Sequence, residues 1–343
     1  MTRTTPPRPV DIASVFPELA PLVRQAVRLH PRPGQPTVHQ SSIGGPLLWP
    51  ADEEWPVCTE EEHSDSELPN SLAAVRRRRA MLEEAWLRHH ATGQDLLTSE
   101  QRAYLAELEA GHLEHEEPNA LLPVAQLYVR DIPGLAGPAG TDLLQVLWCP
   151  LDHDMVLPAA HLVWRDSGSV RDLLVDPPEP ADVDHYGLYV PEPCILHPEV
   201  VSEYPAQPEW PNELAERLDN WDPSHRSEAD QEQEDSPESA YDEHCVAPGW
   251  KVGGWGPWSF MDPWPMKCEV CDAEYRPLLT ISTGEWDEGS RSWIPLEDRE
   301  PTADPIGLRE PWNPPMVQIG RGYNMQIYTC PTSFDHPHLE VMQ

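Results

Sequence analysis

Apolar residues in this chain fall into short runs broken by proline and glycine, and only a few stretches show helical spacing. Residues 124–129 (VAQLYV) and 143–148 (LLQVLW) are rich in strand formers, and the Gly/Pro-rich segment between them reads as a loop or hairpin connection. Residues 161–165 (HLVWR) and 277–282 (PLLTIS) read as further strands. Residues 41–58 (SSIGGPLLWPADEEWPVC) have no helical period and predict a short strand, a turn and a loop. Helical spacing occurs at Ile12, Val15, Leu19, Leu22, Val23 and Ala26. It predicts an amphipathic helix over residues 11–29, broken by Pro17 and Pro21 into two turns followed by a helix. Residues 70–117 predict a helical hairpin. Its first helix ends at Gly93, and its second opens at Thr98 in a capping box with Gln101. A short helix, NELAERLDNW at 212–221, precedes an acidic, weakly apolar stretch over 222–245, which reads as a disordered connector.

Proline sharpens this picture. It supplies 42 of 343 residues, and because it blocks helix interiors and central strands, short strands and long connections are expected. The length exceeds one ordinary core and suits two packed lobes or one large duplicated domain.

Charge narrows the partners. With 59 acidic against 23 basic residues the net charge is −36. Phosphate contacts need Lys and Arg, so nucleic acid is excluded, as are anionic membrane surfaces. The tetrabasic run at 76–79 lies close to Glu83 and Glu84 and is expected to form internal salt bridges. A partner with a basic surface would be steered in, although acidity can also serve solubility alone. No apolar run approaches the roughly 18 residues that span a bilayer. The N-terminus lacks the apolar core of a secretory signal, so the expected location is cytoplasmic. Seven cysteines in a reducing compartment are expected as thiols or metal ligands.

A series of rare residues occurs twice. Ile43-Gly44-Gly45 precedes Trp55-Pro56-Val57-Cys58, and Val252-Gly253-Gly254 precedes Trp264-Pro265-Met266-Lys267-Cys268. Each half then reaches a Gln-x-x-x-Cys-Pro series, at Gln145 to Pro150 and at Gln326 to Pro331. The expected fold class is therefore α+β: two β-rich pseudo-repeats packed together, with an inserted helical hairpin and an N-terminal helix. The expected division is an N-terminal helix and arm over 1–40, a first repeat over 41–221 with the hairpin at 70–117, the connector over 222–245, and a second repeat over 246–343.

The Gly-Gly and Trp-Pro pattern, the VAQLYV strand, Lys251-Val252-Gly253-Gly254 and a late Gly-x-Gly together resemble the YwqG-like family, a bacterial domain of unknown function with an α+β fold. The resemblance covers most of residues 41–334, and the Trp and Cys enrichment points to an actinobacterial-type member. It implies no established activity. Some genes of the family lie near toxin–immunity loci, which lends weight to a protective, protein-binding role. The chain departs from the family pattern at Trp258-Ser259-Phe260 and at Gly320-Arg321-Gly322.

Cys268-Glu269-Val270-Cys271 is the sharpest chemical signal, because two thiolates at this spacing can bind one tetrahedral Zn²⁺. It is half a site. The expected remaining ligands are Cys330 and Cys149, with Cys58 and His153 behind them and His336 and His338 weaker still. Buried thiols packing as small apolar residues are the alternative. A redox pair is disfavoured, because the motif does not open a helix after a βαβ strand. Nucleophile elbows, metalloprotease motifs and phosphate loops do not occur. The Gly-rich segment 249–256 (GWKVGGWG) reads as a turn packed by aromatics, and the Trp clusters read as core. Among the acidic groups, Asp152-His153-Asp154 stands out as a candidate for chemistry. The expected function is a non-catalytic protein-binding module, of immunity or regulatory type, with a structural zinc. The alternative is a small-molecule-binding or hydrolytic enzyme with its site in the cleft between the repeats.

Overall fold

The computed structural model describes residues 2–59, 63, 68–88, 97–112, 115, 118–206, 209–210, 212–221, 240–299 and 311–343. Both helices and two antiparallel six-stranded sheets are present, an α+β fold.

Each sheet is built around a central hairpin. In one, β4 (Leu122–Tyr128) pairs with β5 (Leu143–Trp148), setting Gln126 opposite Gln145. In the other, β10 (Arg276–Ser282) pairs with β11 (Asn324–Thr329), setting Thr280 opposite Gln326. Nearly every position of these strands is buried, so both faces are covered and their sequences read as almost continuous apolar runs. Both hairpins shift register just after a proline, between Pro123 and Ala125 and between Pro277 and Leu279. Proline has no N–H for the ladder, and a bulge absorbs the missing bond.

The flanking strands follow a common order. β3 (Ser42–Ile43) pairs with β4, and β9 (Lys251–Gly253) pairs with β10. On the far side, β6 (Ala160–Arg165) pairs with β5, and β12 (Leu339–Met342) pairs with β11. β7 (Cys194–Ile195) lies between β3 and β2 (Arg32–Pro33). β1 (Arg24–Arg28) lies between β9 and β8 (Glu199–Glu203). The sheets therefore read β2-β7-β3-β4-β5-β6 and β8-β1-β9-β10-β11-β12. The main core draws Val124, Leu127, Leu144 and Val146 from the first, and Val27, Leu279, Ile281 and Ile327 from the second.

Two expectations from the sequence change here. The first is the helix over residues 11–29. Only Ile12–Val15 is α-helical (α1), Pro17–Leu22 forms a 3-10 turn, and Arg24–Arg28 is a strand inside a sheet. Val23 and Ala26 fit helical spacing, but β1 instead makes ladder bonds to strands on both sides, which satisfies its backbone. Its buried Arg28 donates to the carbonyls of Pro248, Trp293 and Glu285. The second concerns the connector. Ala240–Cys245 is helical, with Tyr241 and Cys245 packed among Phe16, Leu19, Trp210 and Leu218; residues 222–239 lie outside the described residues. The sheets also do not divide at the connector, since β1 and β8 come from before it and join the sheet formed after it, β1 pairing directly with β9.

The helices expected over residues 70–117 form as α2 (Leu72–Arg88) and α3 (Ser99–Ala110), which touch each other. Thr98 and Gln101 make the reciprocal capping box; Gly93 lies outside the described residues. α4 (Asn212–Trp221) and α5 (Ala240–Cys245) complete the helices named here.

Candidate metal centres

The C-x-x-C turn is a short hairpin just ahead of β10. Lys267 bridges Glu274, the Cys268 amide donates to Ala273 O at 2.9 Å, and the Asp272 amide donates to Cys268 O at 2.8 Å. Asp272 turns the chain with φ +57°. This brings Cys268 and Cys271 to the end of β11, where Cys330 follows the strand and His336 comes from the next turn. Cys268 Sγ lies 3.4 Å from His336 Nδ1, Cys330 Sγ lies 3.3 Å from the same atom, and Cys271 Sγ lies 3.4 Å from Cys330 Sγ.

A second group forms at the matching place on the other sheet. Val57 bridges Ala120, and the Cys58 amide donates to Asn119 O at 2.7 Å. Cys149 follows β5, and His153 lies four residues on. Cys58 Sγ is 3.6 Å from His63 Nε2 and 3.7 Å from His153 Nε2, and Cys149 Sγ is 3.5 Å from His63 Nε2. In each group all four donor atoms lie within 4.8 Å of one another.

These separations can be tested against zinc. Zn–S bonds of about 2.3 Å and Zn–N bonds of about 2.0–2.1 Å at tetrahedral angles put S and N about 3.6 Å apart and two sulfurs about 3.8 Å apart. The observed edges fall close to those of that tetrahedron, so both donor sets can close around a metal ion. Each group supplies four protein donors, which fills a tetrahedral shell and leaves no position open for substrate.

The thiols also differ in acidity. Burial opposes ionisation of Cys330, but backbone donors at Thr332 and Ser333, together with His336 and Cys271, bring it down to about 6. Cys149 is pushed up, first by its neighbour Cys58 and then by burial.

The expected ligands are therefore sorted into two sets. Cys268, Cys271 and Cys330 do meet, and His336 completes them. Cys149, Cys58 and His153 do not join them. They belong to the other sheet, because the hairpin after which Cys149 stands is not the one that carries Cys330. His63 was not legible from the sequence; its one signal is a position five residues beyond Cys58 in an acidic stretch. His338 instead faces Glu340 at 3.1 Å.

Other candidates settle into structural roles. His112 Nε2 and His115 Nδ1 approach the same oxygen of Asp182, at 2.7 and 3.1 Å, as hydrogen bonds; these three donors are also close enough to hold a metal ion, though one short of a filled tetrahedral shell. Asp152 accepts from the Tyr189 hydroxyl at 2.5 Å. Lys251, in the Gly-rich segment, is buried against Glu203 at 2.7 Å and offers no charge to a phosphate. In the tetrabasic run, Arg76 pairs with Glu179 and Arg79 with Glu192. Trp148, Trp250 and Trp293 are fully buried core rings.

A groove of about 690 Å³ lies beside the C-terminal end of β10. Trp258, Trp286 and Trp312 line it together with Asp242, Glu243 and Asp287. Among the described residues no helix is long and apolar enough to cross a membrane. In comparisons with known proteins, no family model and no curated protein matches the chain.

Proposed function

We propose that this chain is a non-catalytic, cytoplasmic protein-binding module, regulatory or immunity-type, with a structural zinc held by Cys268, Cys271, Cys330 and His336. The observation that carries the binding reading is the groove, where three indoles and three carboxylates line one cavity against a single basic side chain, Arg321. Indole faces attract cations and carboxylates pair with them, so the groove suits Lys or Arg side chains of a basic protein segment. The net charge of −36 would draw such a segment in. The enzyme reading has weaker support. The cavity lined by Asp152, Asp184 and Arg321 lies where residues of the two halves meet, but its carboxylates are engaged. Asp184 accepts the amides of Tyr186 and Tyr189, and Asp152 accepts the Tyr189 hydroxyl.

We also read the chain as an internal duplication, in keeping with its YwqG-like motifs. Supporting this, each sheet has the same strand order, the same bulge after proline and a cysteine immediately after the matching strand. On this reading the repeats are β1 to β6 and β7 to β12, and each lends its first strand to the sheet of the other. The two helices α2 and α3 are an insertion in the first repeat, at the position of the tight C-x-x-C turn in the second.

Fluorescence titration with a Lys/Arg-rich peptide tests the binding reading. Saturable binding that weakens with salt is expected, and Trp312→Ala with Asp287→Asn should weaken it about tenfold, about 1.4 kcal/mol. Equal affinity for an uncharged peptide of the same length, or no binding at all, would sink it.

A further inference from the structure

We propose that Cys58, His63, Cys149 and His153 hold a second structural zinc, separate from the first and tying down the base of the two-helix excursion. The inference rests on the reading of such four-donor clusters as structural zinc sites, and extends it to residues outside the C-x-x-C motif.

The backbone around the two clusters matches closely. Ahead of β4, the Cys58 amide donates to Asn119 O at 2.7 Å and the Leu121 amide to Pro56 O at 3.0 Å. Ahead of β10, the Cys268 amide donates to Ala273 O at 2.9 Å and the Tyr275 amide to Met266 O at 3.0 Å. The same two-strand turn therefore presents both first cysteines. His63 then takes the place that Cys271 holds in the other cluster, and His153 the place of His336. The tight turn from 268 to 273 is replaced by the long path from 58 to 119 that carries α2 and α3.

The surroundings fit a bound ion better than packed thiols. The Asn119 side-chain amide points at Cys149 Sγ at 3.9 Å, as the Thr332 amide points at Cys330 Sγ at 3.4 Å. N–H groups aimed at sulfur stabilise thiolate ligands. Cys194 and Cys245 also lie within apolar clusters, as Cys58 and Cys149 do, but among the described residues neither belongs to a group of donors that could hold a metal ion. Donor charge also follows burial. Two thiolates and two neutral imidazoles balance Zn²⁺, which suits a site walled by Leu47, Trp49, Leu121 and Leu147. Three thiolates leave one net negative charge, and that cluster includes the exposed Cys271.

Native mass spectrometry of the full chain purified with zinc gives the count. Two zinc ions per chain are expected. Cys58→Ser/Cys149→Ser should retain one, and Cys268→Ser/Cys330→Ser should also retain one. His63→Cys should keep two and, after cobalt replacement, strengthen the thiolate-to-cobalt absorption by adding one cobalt–sulfur bond. A wild-type chain with one zinc, lost in the Cys268/Cys330 variant, would overturn the second site and leave the first intact. A wild-type chain with none would overturn both. Two ions persisting in the Cys58/Cys149 variant would place the second elsewhere and overturn the proposal. Should that variant fail to fold, the wild-type count and the cobalt spectrum of His63→Cys still decide.

Discussion

His197 and Glu199 sit two residues apart at the entry to β8 and contribute, with the buried Glu285, to the acid response of this part of the molecule. Burial, helped by Arg3 and Arg32, brings His197 down to about 4 from its ordinary 6.5. Burial opposes ionisation of Glu199, but bonds from His30 and Thr5 outweigh it and hold it at about 2 against 4.5. Both groups bind protons more readily in the unfolded chain, so both make stability fall as pH falls. The neutral His197 contributes fully above pH 6.5, and that contribution is lost on the way down to about 4. The Glu199 contribution is complete above 4.5 and is lost toward 2. Urea unfolding of the wild type and of His197→Gln across this range checks the first step. The difference between the two curves should shrink as pH drops from 6.5 to 4, and taking the difference cancels the titration of groups common to both chains. A pH-independent difference would refute the assignment.

At the scale of elements, the sheets are fixed by polar side chains as well as apolar ones. The Gln145 amide donates to Leu48 O at 3.0 Å and to Gln126 Oε1 at 2.9 Å, and its carbonyl accepts from Arg165 Nε at 2.9 Å. Gln126 in turn accepts the Leu48 amide at 2.7 Å. This ladder ties the loop after β3 to the central hairpin. Gln145→Leu keeps the volume but leaves buried partners without their bonds, and it should cost about 1–3 kcal/mol in denaturant unfolding. The β4–β5 hairpin was legible because it is a local pattern, a run of strand formers, a break and a second run; β10 was legible as a run, but its partner β11 lies beyond residues 283–323 and was not. The capping box at Thr98 was legible for the same reason. β1 was not, because five residues of mixed character fit either period, and what makes them a strand is the pair of neighbours at Val200 and Val252, both remote in sequence.

On the scale of the whole molecule, residues from before the acidic connector complete the sheet formed after it. β1 lies between β8 and β9, and β7 between β2 and β3. A fragment of residues 246–343 should therefore fail to fold alone, because β9 would lose β1 and expose both its ladder edge and Val252. Co-expression with residues 1–221 should restore folded signals in an amide NMR spectrum. A well-dispersed spectrum from the isolated fragment would show that the shared strand is dispensable.

The sequence alone determined what depends on neighbours along the chain: the α+β class, the β4–β5 hairpin, the capped helix, the repeated Gly-Gly, Trp-Pro and Gln-x-x-x-Cys-Pro series, and the C-x-x-C pair. Only the tertiary structure decided which strands lie side by side and which cysteines and histidines come together. Strand pairing and metal coordination are contacts between remote segments, and spacing along the chain carries no record of them. Cys149 and Cys330 are equivalent as sequence, but the fold gives each its own hairpin and its own imidazole donors, with His63 brought in from a stretch with no pattern at all.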